Sequence, residues 1–419
     1  MMHFKRLQVE QWQQFNKIDI DLSNRLTILT GANGSGKSTL LGILARHNGW
    51  DVGHLAVPRH EKASGIIRFV SRFFKGLSAD ATTPAQVQIG SVEYSSSISC
   101  ALMLPTGNNT AQYQLHLMGM QGIPSFFIPS HRVNFRYEPI GAIPTVKKDK
   151  QQAFQEVSGT ARTRYMGGHT QSSSFFMKNS LIAWAIQGYG VSSASNKHIM
   201  PPDADQRRHF EGFQETLRKI LPSTLGFKEL EIRNMEIVFV CNNGDDEFML
   251  ETASGGISAL IDIAWQIYMF APKDNSEFTV IIDEVENHLH PTMQRRLLQD
   301  LLNAFPTARF IVSTHSPLVV SSVRDASVYA LRYNADKKVE ATRLDLLTEA
   351  KTAGEILDEV LGVSFTMPIW AENRLNEIVG KFNDMSAEQI DFRELRKQLT
   401  ESGLEKTVPY AIEQVVRNK

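Results

Sequence analysis

Gly31-Ala32-Asn33-Gly34-Ser35-Gly36-Lys37-Ser38 is the stretch that decides the fold of this 419-residue chain. It follows a short apolar run, Arg25 to Thr30, and precedes Leu40, Leu41, Ile43 and Leu44, which share one face at helical spacing. Strand, glycine-rich loop and helix in that order make a phosphate cradle. The glycines let backbone N–H groups converge on an anion, and the helix N-terminus adds partial positive charge. The loop fits G-x-x-x-x-G-K-S/T in full. Asn33, Gly34, Ser35, Gly36, Lys37, Ser38 and the following Thr39 are therefore the candidate nucleotide contacts. Lys37 is placed to reach the β- and γ-phosphates, and Ser38 to ligate Mg²⁺. A chance glycine turn would not carry these flanks.

Two further apolar runs end in polar residues of matching kind. Phe278-Thr279-Val280-Ile281-Ile282 leads into Asp283-Glu284, so both acids fall at the carboxyl edge of a sheet, where phosphates bind. Alone, such a pair is weak, since helix capping needs the same residues. Paired with the glycine loop, Asp283 becomes the candidate metal ligand, directly or through water. Glu284 becomes the general base that polarises an attacking water. Arg309 to Thr314 is a third such strand, followed by His315-Ser316-Pro317. His315 is a candidate partner of the γ-phosphate or of the catalytic water.

Outward from these strands the organisation is mixed. Ile18, Ile20 and Leu22 alternate with Asp19 and Asp21, so the first forty residues read as two strands, a turn and a helix start. Between Ile66 and Arg132, Ser91–Leu104, Tyr113–Met118 and Ser125–Ile128 are strand candidates. Glu229 to Val240 is a strand pair or one long strand. The region from about residue 147 to 215 turns to Gln, Ser, Gly and Asn around one apolar helix, Phe175–Ile186, and reads as an insertion with loop-like flanks: a lid, a partner surface or a polar loop. The tail from Asp345 is amphipathic helix, with Ile356, Leu357, Val360 and Leu361 on its apolar side.

Composition excludes some classes. The hydrophobic and charged fractions, 42% and 21%, are those of an ordinary globular chain, and a net charge of −1 offers no bulk attraction to nucleic acid. Cys100 and Cys241, without metal-type spacing, read as reduced thiols. The N-terminus lacks an apolar signal core, and no apolar run nears the roughly 20 residues that cross a bilayer. A cytoplasmic protein with no membrane partner is expected. No heptad array is present, which weighs against a rod protein.

Gly31–Ser38, Asp283–Glu284 and His315 resemble the Walker A, Walker B and histidine switch of the ABC-type ATPase superfamily. Ala253-Ser254-Gly255-Gly256-Ile257-Ser258-Ala259-Leu260 is similar to that family's signature loop, which completes the site of a partner subunit. Residue chemistry agrees, because Ser254, Gly255 and Gly256 precede an apolar helix and so form a second anion-binding helix end. The runs Asp283 to Pro291 and Ser313 to Pro317 resemble the subgroup of OLD-type ATPases and the ATPase subunits of bacterial anti-phage systems of Septu, retron and PARIS type. Gln11 to Phe15 and Pro129 to Arg132 fit the same N-terminal lobe.

The resemblance implies an α/β P-loop NTPase fold. An ABC-type head over residues 1–335 would have a β-rich N-terminal lobe and an α/β core, interrupted by the insertion, with a helical C-terminal segment over 336–419. It implies ATP and Mg²⁺, and a head-to-tail dimer or higher oligomer. OLD proteins carry a TOPRIM nuclease after the histidine switch, but no Asp-x-Asp follows His315. A TOPRIM domain is therefore not expected, and the effector, such as a nuclease, should be a separate protein. The family's linking glutamine is not obvious. Arg132 stands in that place as a candidate phosphate or intersubunit contact. His288 and His290 read as structural or interface residues, and Arg207-Arg208 and Arg295-Arg296 as solvated helix faces.

Three functions are in play. The first is a nucleotide-controlled regulator of a separate effector in anti-phage defence. A DNA-repair or recombination ATPase of RecF or SMC-like kind would need a basic groove or coiled-coil arm, although a local nucleic-acid contact stays open. An ABC transporter's ATP-binding subunit fits poorly, given the long separation between glycine loop and signature.

Overall fold

Runs that are apolar throughout and runs that alternate are sorted into the two halves of one sheet. Its eleven strands lie in the order His116–Met118, Ser99–Pro105, Gln86–Tyr94, Phe4–Trp12, Phe15–Asp21, Val339–Leu344, Ser327–Tyr333, Leu26–Gly31, Ala308–Thr314, Phe278–Ile282, Ser125–Ile128. The structure is a computed structural model that describes residues 2–51, 53–55, 57–60, 67–70, 86–105, 111–132, 134–195, 197–344, 368–383 and 390–417. The last five strands of that order are parallel. Leu26–Gly31, Phe278–Ile282 and Ser125–Ile128 are buried at every position, as parallel strands covered on both faces must be. The first five are antiparallel and alternate buried with exposed residues, as in Phe15–Asp21. This is the β-rich lobe.

Register brings the chemistry to one edge. Thr30 pairs with Thr314, and Ile282 with Val312, so the glycine loop, Asp283 and His315 all leave the sheet at its carboxyl end. The strand bearing His315 lies between the other two.

Several segments differ from their sequence reading. The first forty residues hold three strands, because Phe4–Trp12 also pairs, flanked by Phe15–Asp21 and Gln86–Tyr94. Ser91–Leu104 is a hairpin rather than one strand. Its turn is made of serines, with Ser97 in the left-handed region, and lacks the Gly or Pro that would have marked it. Phe227–Arg233 and Glu236–Cys241 form a strand pair around Asn234 and Met235, both left-handed as a tight hairpin requires, and Asp246–Met249 adds a third strand.

The insertion holds three helices, Lys150–Tyr165, Ser173–Tyr189 and Ala204–Ile220, where the sequence suggested one. Asp149 closes a capping box with Gln152, and Asp203 caps the third helix. Polar outer faces concealed the first and third, which pack inward on the Gly255–Phe270 helix. Trp265 of that helix stacks on Trp184 at 5.6 Å and meets Phe213 edge-on at 4.9 Å.

The chain divides into Met1–Ala353 and Gly354–Lys419. The first unit passes residue 335, the boundary expected from sequence, because Val339–Leu344 pairs with both Ser327–Tyr333 and Phe15–Asp21. The second has its own core, where Leu375, Ile378, Phe382, Leu395, Leu399 and Val415 pack helices Ile369–Asn383, Phe392–Glu401 and Val408–Arg417. Ile356, Leu357, Val360 and Leu361 lie outside the described residues. Among those described, no helix is long and apolar enough to cross a membrane.

Candidate active site

The glycine loop turns on residues that only glycine tolerates. Gly31, Gly34 and Gly36 have φ of 145°, 78° and 94°. A Cβ on Gly31 would lie 2.5 Å from the Leu331 carbonyl oxygen, and one on Gly36 would strike the Phe15 ring and the Gln14 amide. Gly36 opens the Lys37–Ala45 helix with no side-chain cap and no acid in the first turn, so its N–H groups face the cleft. Tyr333 Oη donates to the Gly34 carbonyl at 3.1 Å and braces the loop from the next strand.

Lys37 is buried, and its Nζ donates to the carbonyls of Gly31 (2.9 Å) and Ala32 (3.1 Å). Burial lowers its pKa to about 8, against the pull of Asp283, Glu284 and Glu286. His315 Nδ1 lies 3.4 Å from the same amine. Burial, and then Lys37, lower the histidine's pKa, which favours the neutral ring. Nε2 is 3.8 Å from Glu284 Oε1.

Ser313 joins the acid pair to the central strand. Its buried hydroxyl donates to Asp283 Oδ1 at 2.5 Å and accepts the Glu284 N–H at 2.7 Å. Glu284 has a φ of 44°, an uncommon conformation for a side-chain-bearing residue, which turns the chain sharply after Asp283. Asn287 Nδ2 donates to Glu284 Oε2 at 2.7 Å, which leaves Oε1 towards His315. Glu286 Oε1 accepts the His315 N–H at 2.5 Å. A cleft of about 440 Å³ is lined by Gln14, Asn33, Gly34, Gly36, Lys37, Ser38, Thr39, Glu284 and His315.

A larger cavity, near Lys150 and Phe270, lies among none of these groups. The loop residues, Glu284 and His315 thus meet in one cleft, while Asp283 is buried next to Glu284 and is not among the lining residues. The cleft's donor set fits a triphosphate with Mg²⁺: an uncapped helix end, a lysine resting on the loop's own carbonyls, Ser35 Oγ buried with no partner among the described residues, and a carboxylate beside them.

Arg132 has a different position from the phosphate contact considered from sequence. Its guanidinium donates to the carbonyls of Asn287 (3.0 Å), Glu284 (3.2 Å) and Val285 (3.3 Å), clamping the acid turn from behind. It also lies in the field of Asp262, a buried carboxylate on the Gly255–Phe270 helix whose pKa burial pushes up to about 6.

Ser254 and Gly255 are exposed, and the helix they open has neither a side-chain cap nor an acid in its first turn. They lie outside the residues lining the cleft of their own chain, as does the half-buried Gly256. His290 caps the Pro291–Ala304 helix through Nδ1, His288 is exposed, and no metal cluster occurs among the described residues. Arg207, Arg208, Arg295 and Arg296 are exposed. Cys100 and Cys241 are buried and free. Sequence reasoning missed Gln14, Ser313, Glu286, Asn287 and Tyr333. Gln14, Glu286, Asn287 and Ser313 lay within quoted runs without being given a site role, and Tyr333 carried no signal.

A glycine-loop strand separated from its acid-bearing strand by one intervening strand, with an antiparallel lobe beside it, makes this an α/β P-loop NTPase with an ABC-type ATPase head. Residues 182–321 match the family described as "AAA domain, putative AbiEii toxin, Type IV TA system", and residues 4–45 that described as "P-loop containing region of AAA domain". The Retron Vc95 probable ATPase of Vibrio cholerae serotype O1 biovar El Tor is 21% identical over 78% of this chain and 73% of its own length. The Septu protein PtuA of Bacillus thuringiensis is 22% identical over 93% of this chain and 92% of its own. An SMC head domain from Thermotoga maritima is similar in structure, with a TM-score of 0.42 and 15% identity over 82% of this chain and 99% of that one. By these matches the chain resembles the ABC/OLD-like ATPases of anti-phage defence.

Proposed function

We propose that the chain binds ATP with Mg²⁺ and hydrolyses it at composite sites between two copies set head to tail. We further propose that its nucleotide state governs a separate effector, of nuclease class, in anti-phage defence. The observation that carries the chemistry is the convergence of Lys37, Glu284 and His315 on one cleft at the carboxyl edge.

In this reading the N–H groups of Asn33 to Thr39 and the Lys37 amine hold the β- and γ-phosphates. The Ser38 hydroxyl and the Asp283 carboxylate hold Mg²⁺, which offsets phosphate charge during transfer. Glu284, with Oε2 tied by Asn287 and Oε1 free of that bond, takes the proton of the attacking water. His315, whose Nε2 faces Glu284 at 3.8 Å, would steady a γ-phosphate oxygen as charge develops. Ser254, Gly255 and Gly256, exposed on an uncapped helix end, suit the phosphates of a second copy. The effector role draws on relatives named as a retron ATPase and a Septu protein.

Glu284→Gln should hold ATP-bound dimers, seen by light scattering, with hydrolysis reduced about 100-fold or more. Turnover at the wild-type rate would sink the assignment of the base. Loss of ATP-driven dimers on Ser254→Arg in that background would support the composite site.

A further inference from the structure

Lys178 sits in the middle of the Ser173–Tyr189 helix with its side chain 0% exposed. Its Nζ lies 2.8 Å from Glu236 Oε2 and 2.7 Å from Glu251 Oε1, and the Glu251 side chain is 1% exposed. The Tyr137 ring covers the ammonium at 4.9 Å, while its hydroxyl donates to Glu236 Oε1 at 3.1 Å. Burial works against the ammonium, but the two carboxylates prevail and hold its pKa above the usual lysine value. The three charges come from separate places: the insertion, the Glu236–Cys241 strand and the Leu250–Thr252 turn.

Such a cluster is a poor source of stability, because desolvating the ions cancels most of their attraction. What it does supply is position. Glu251 stands three residues before Ser254. Beyond it Ser254 and Gly255 are exposed, Ser254 makes no side-chain cap, and no other described residue outside the helix's own backbone comes within 4 Å of a Cβ on Gly255. Glu251 is thus a fully buried anchor ahead of that loop, and its partner belongs to the insertion.

We propose that Lys178 is a positioning residue that grips Glu251 and Glu236, ties the insertion helix to the Ser254–Gly256 loop, and so sets that loop to close on the phosphates of a second copy. This rests on the composite-site reading. The insertion thereby bears on ATP-driven dimerisation without touching the P-loop.

The test uses full-length chain in the Glu284→Gln background. Lys178→Met alone strands two buried carboxylates, so the working variant is Lys178→Met/Glu236→Gln/Glu251→Gln, with Glu251→Gln alone as a milder partner. Each should weaken ATP-driven dimerisation about ten-fold, the scale of a coupling between sites, and leave ATP affinity of the single subunit within about two-fold. Amide exchange over residues 252–258 should quicken.

Dimerisation at the parent level in both variants would overturn the proposal. So would a parallel loss of subunit ATP affinity, since the cluster would then support the whole head. Ser254→Arg separates the two ideas. If it too leaves dimerisation intact, the composite-site reading fails; if it abolishes dimers while the Lys178 variants do not, only the positioning role fails.

Discussion

Ser313→Ala removes one hydroxyl and should disable turnover while sparing nucleotide binding. The hydroxyl is fully buried, donates to Asp283 Oδ1 at 2.5 Å and accepts from the Glu284 N–H at 2.7 Å. The first bond, to a charged acceptor, is worth about 1.5–3 kcal/mol, and a buried N–H left unpaired costs about 1–3 kcal/mol. Relaxation and water entry recover part of this, so a loss of about 2–4 kcal/mol in stability is expected.

The catalytic effect should be larger than the stability effect suggests. Glu284 is held at a φ of 44° by this bond and by the Arg132 clamp, so releasing one restraint shifts its carboxylate. A misplacement on the scale of 1 Å costs about 100-fold in rate. The assay is steady-state ATP hydrolysis with a separate equilibrium measurement of ATP affinity, and kcat should fall about 30- to 100-fold with affinity within about three-fold. Wild-type kcat together with an unchanged urea midpoint would refute the reasoning.

Lys37 gives a proton-linked signature. Its pKa stands at about 8 against an ordinary 10.5, so above pH 8 the buried amine is neutral, and a bound triphosphate recharges it. ATP affinity should be flat below pH 8 and fall above it, with proton uptake on binding, read by calorimetry in buffers of different ionisation heat. Absent uptake at pH 9 would contradict this placement.

Asp262 has a folded pKa of about 6, above the ordinary 3.8, so the stability it contributes below pH 4 is lost as pH rises through 6, by up to about 3 kcal/mol. Asp262→Asn should flatten urea midpoints between about pH 4 and 6, and an unaltered slope would count against it. Gly36→Ala places a methyl on Phe15 and Gln14 at a left-handed φ, and should cost about 2–4 kcal/mol and abolish ATP binding. Gly255→Ala, in open space, should leave subunit stability within about 0.5 kcal/mol, so equal melting losses in the two variants would undo the contrast.

The parallel core was legible because its strands are short, apolar and each followed by chemistry. Phe278–Ile282 and Ala308–Thr314 could be read as buried strands before their neighbours were known. The antiparallel lobe was only partly legible. Phe4–Trp12 carries Lys5, Arg6, Gln8, Glu10 and Gln11 among its apolar residues, and its burial is completed by the strand ending at Tyr94, distant in sequence. The insertion misled for a related reason. Lys150–Tyr165 buries only Ala153, Val157 and Thr160, too sparse a stripe to outweigh its polar residues until the Gly255–Phe270 helix supplies a surface.

Within the site, what the sequence displayed were groups whose chemistry acts through contiguous spacing: the loop glycines, Lys37, Asp283 and Glu284. What it concealed were groups that act on backbone. Arg132 was singled out for standing in the place of the linking glutamine, yet it binds three carbonyls, acceptors that every residue type carries and no motif can mark. Gln14 was quoted within the lobe but not placed at the cleft, since only the packing of the Phe15 ring under Gly36 brings that turn to the loop. The acid turn is consequently specified from both sides, by Ser313 from the central strand and by Arg132 from the edge strand's end. Neither restraint alone explains a non-glycine residue at positive φ in the position proposed for the base. Together they hold Glu284 in a conformation the free peptide would rarely visit, which is the condition for a carboxylate aligned before substrate arrives.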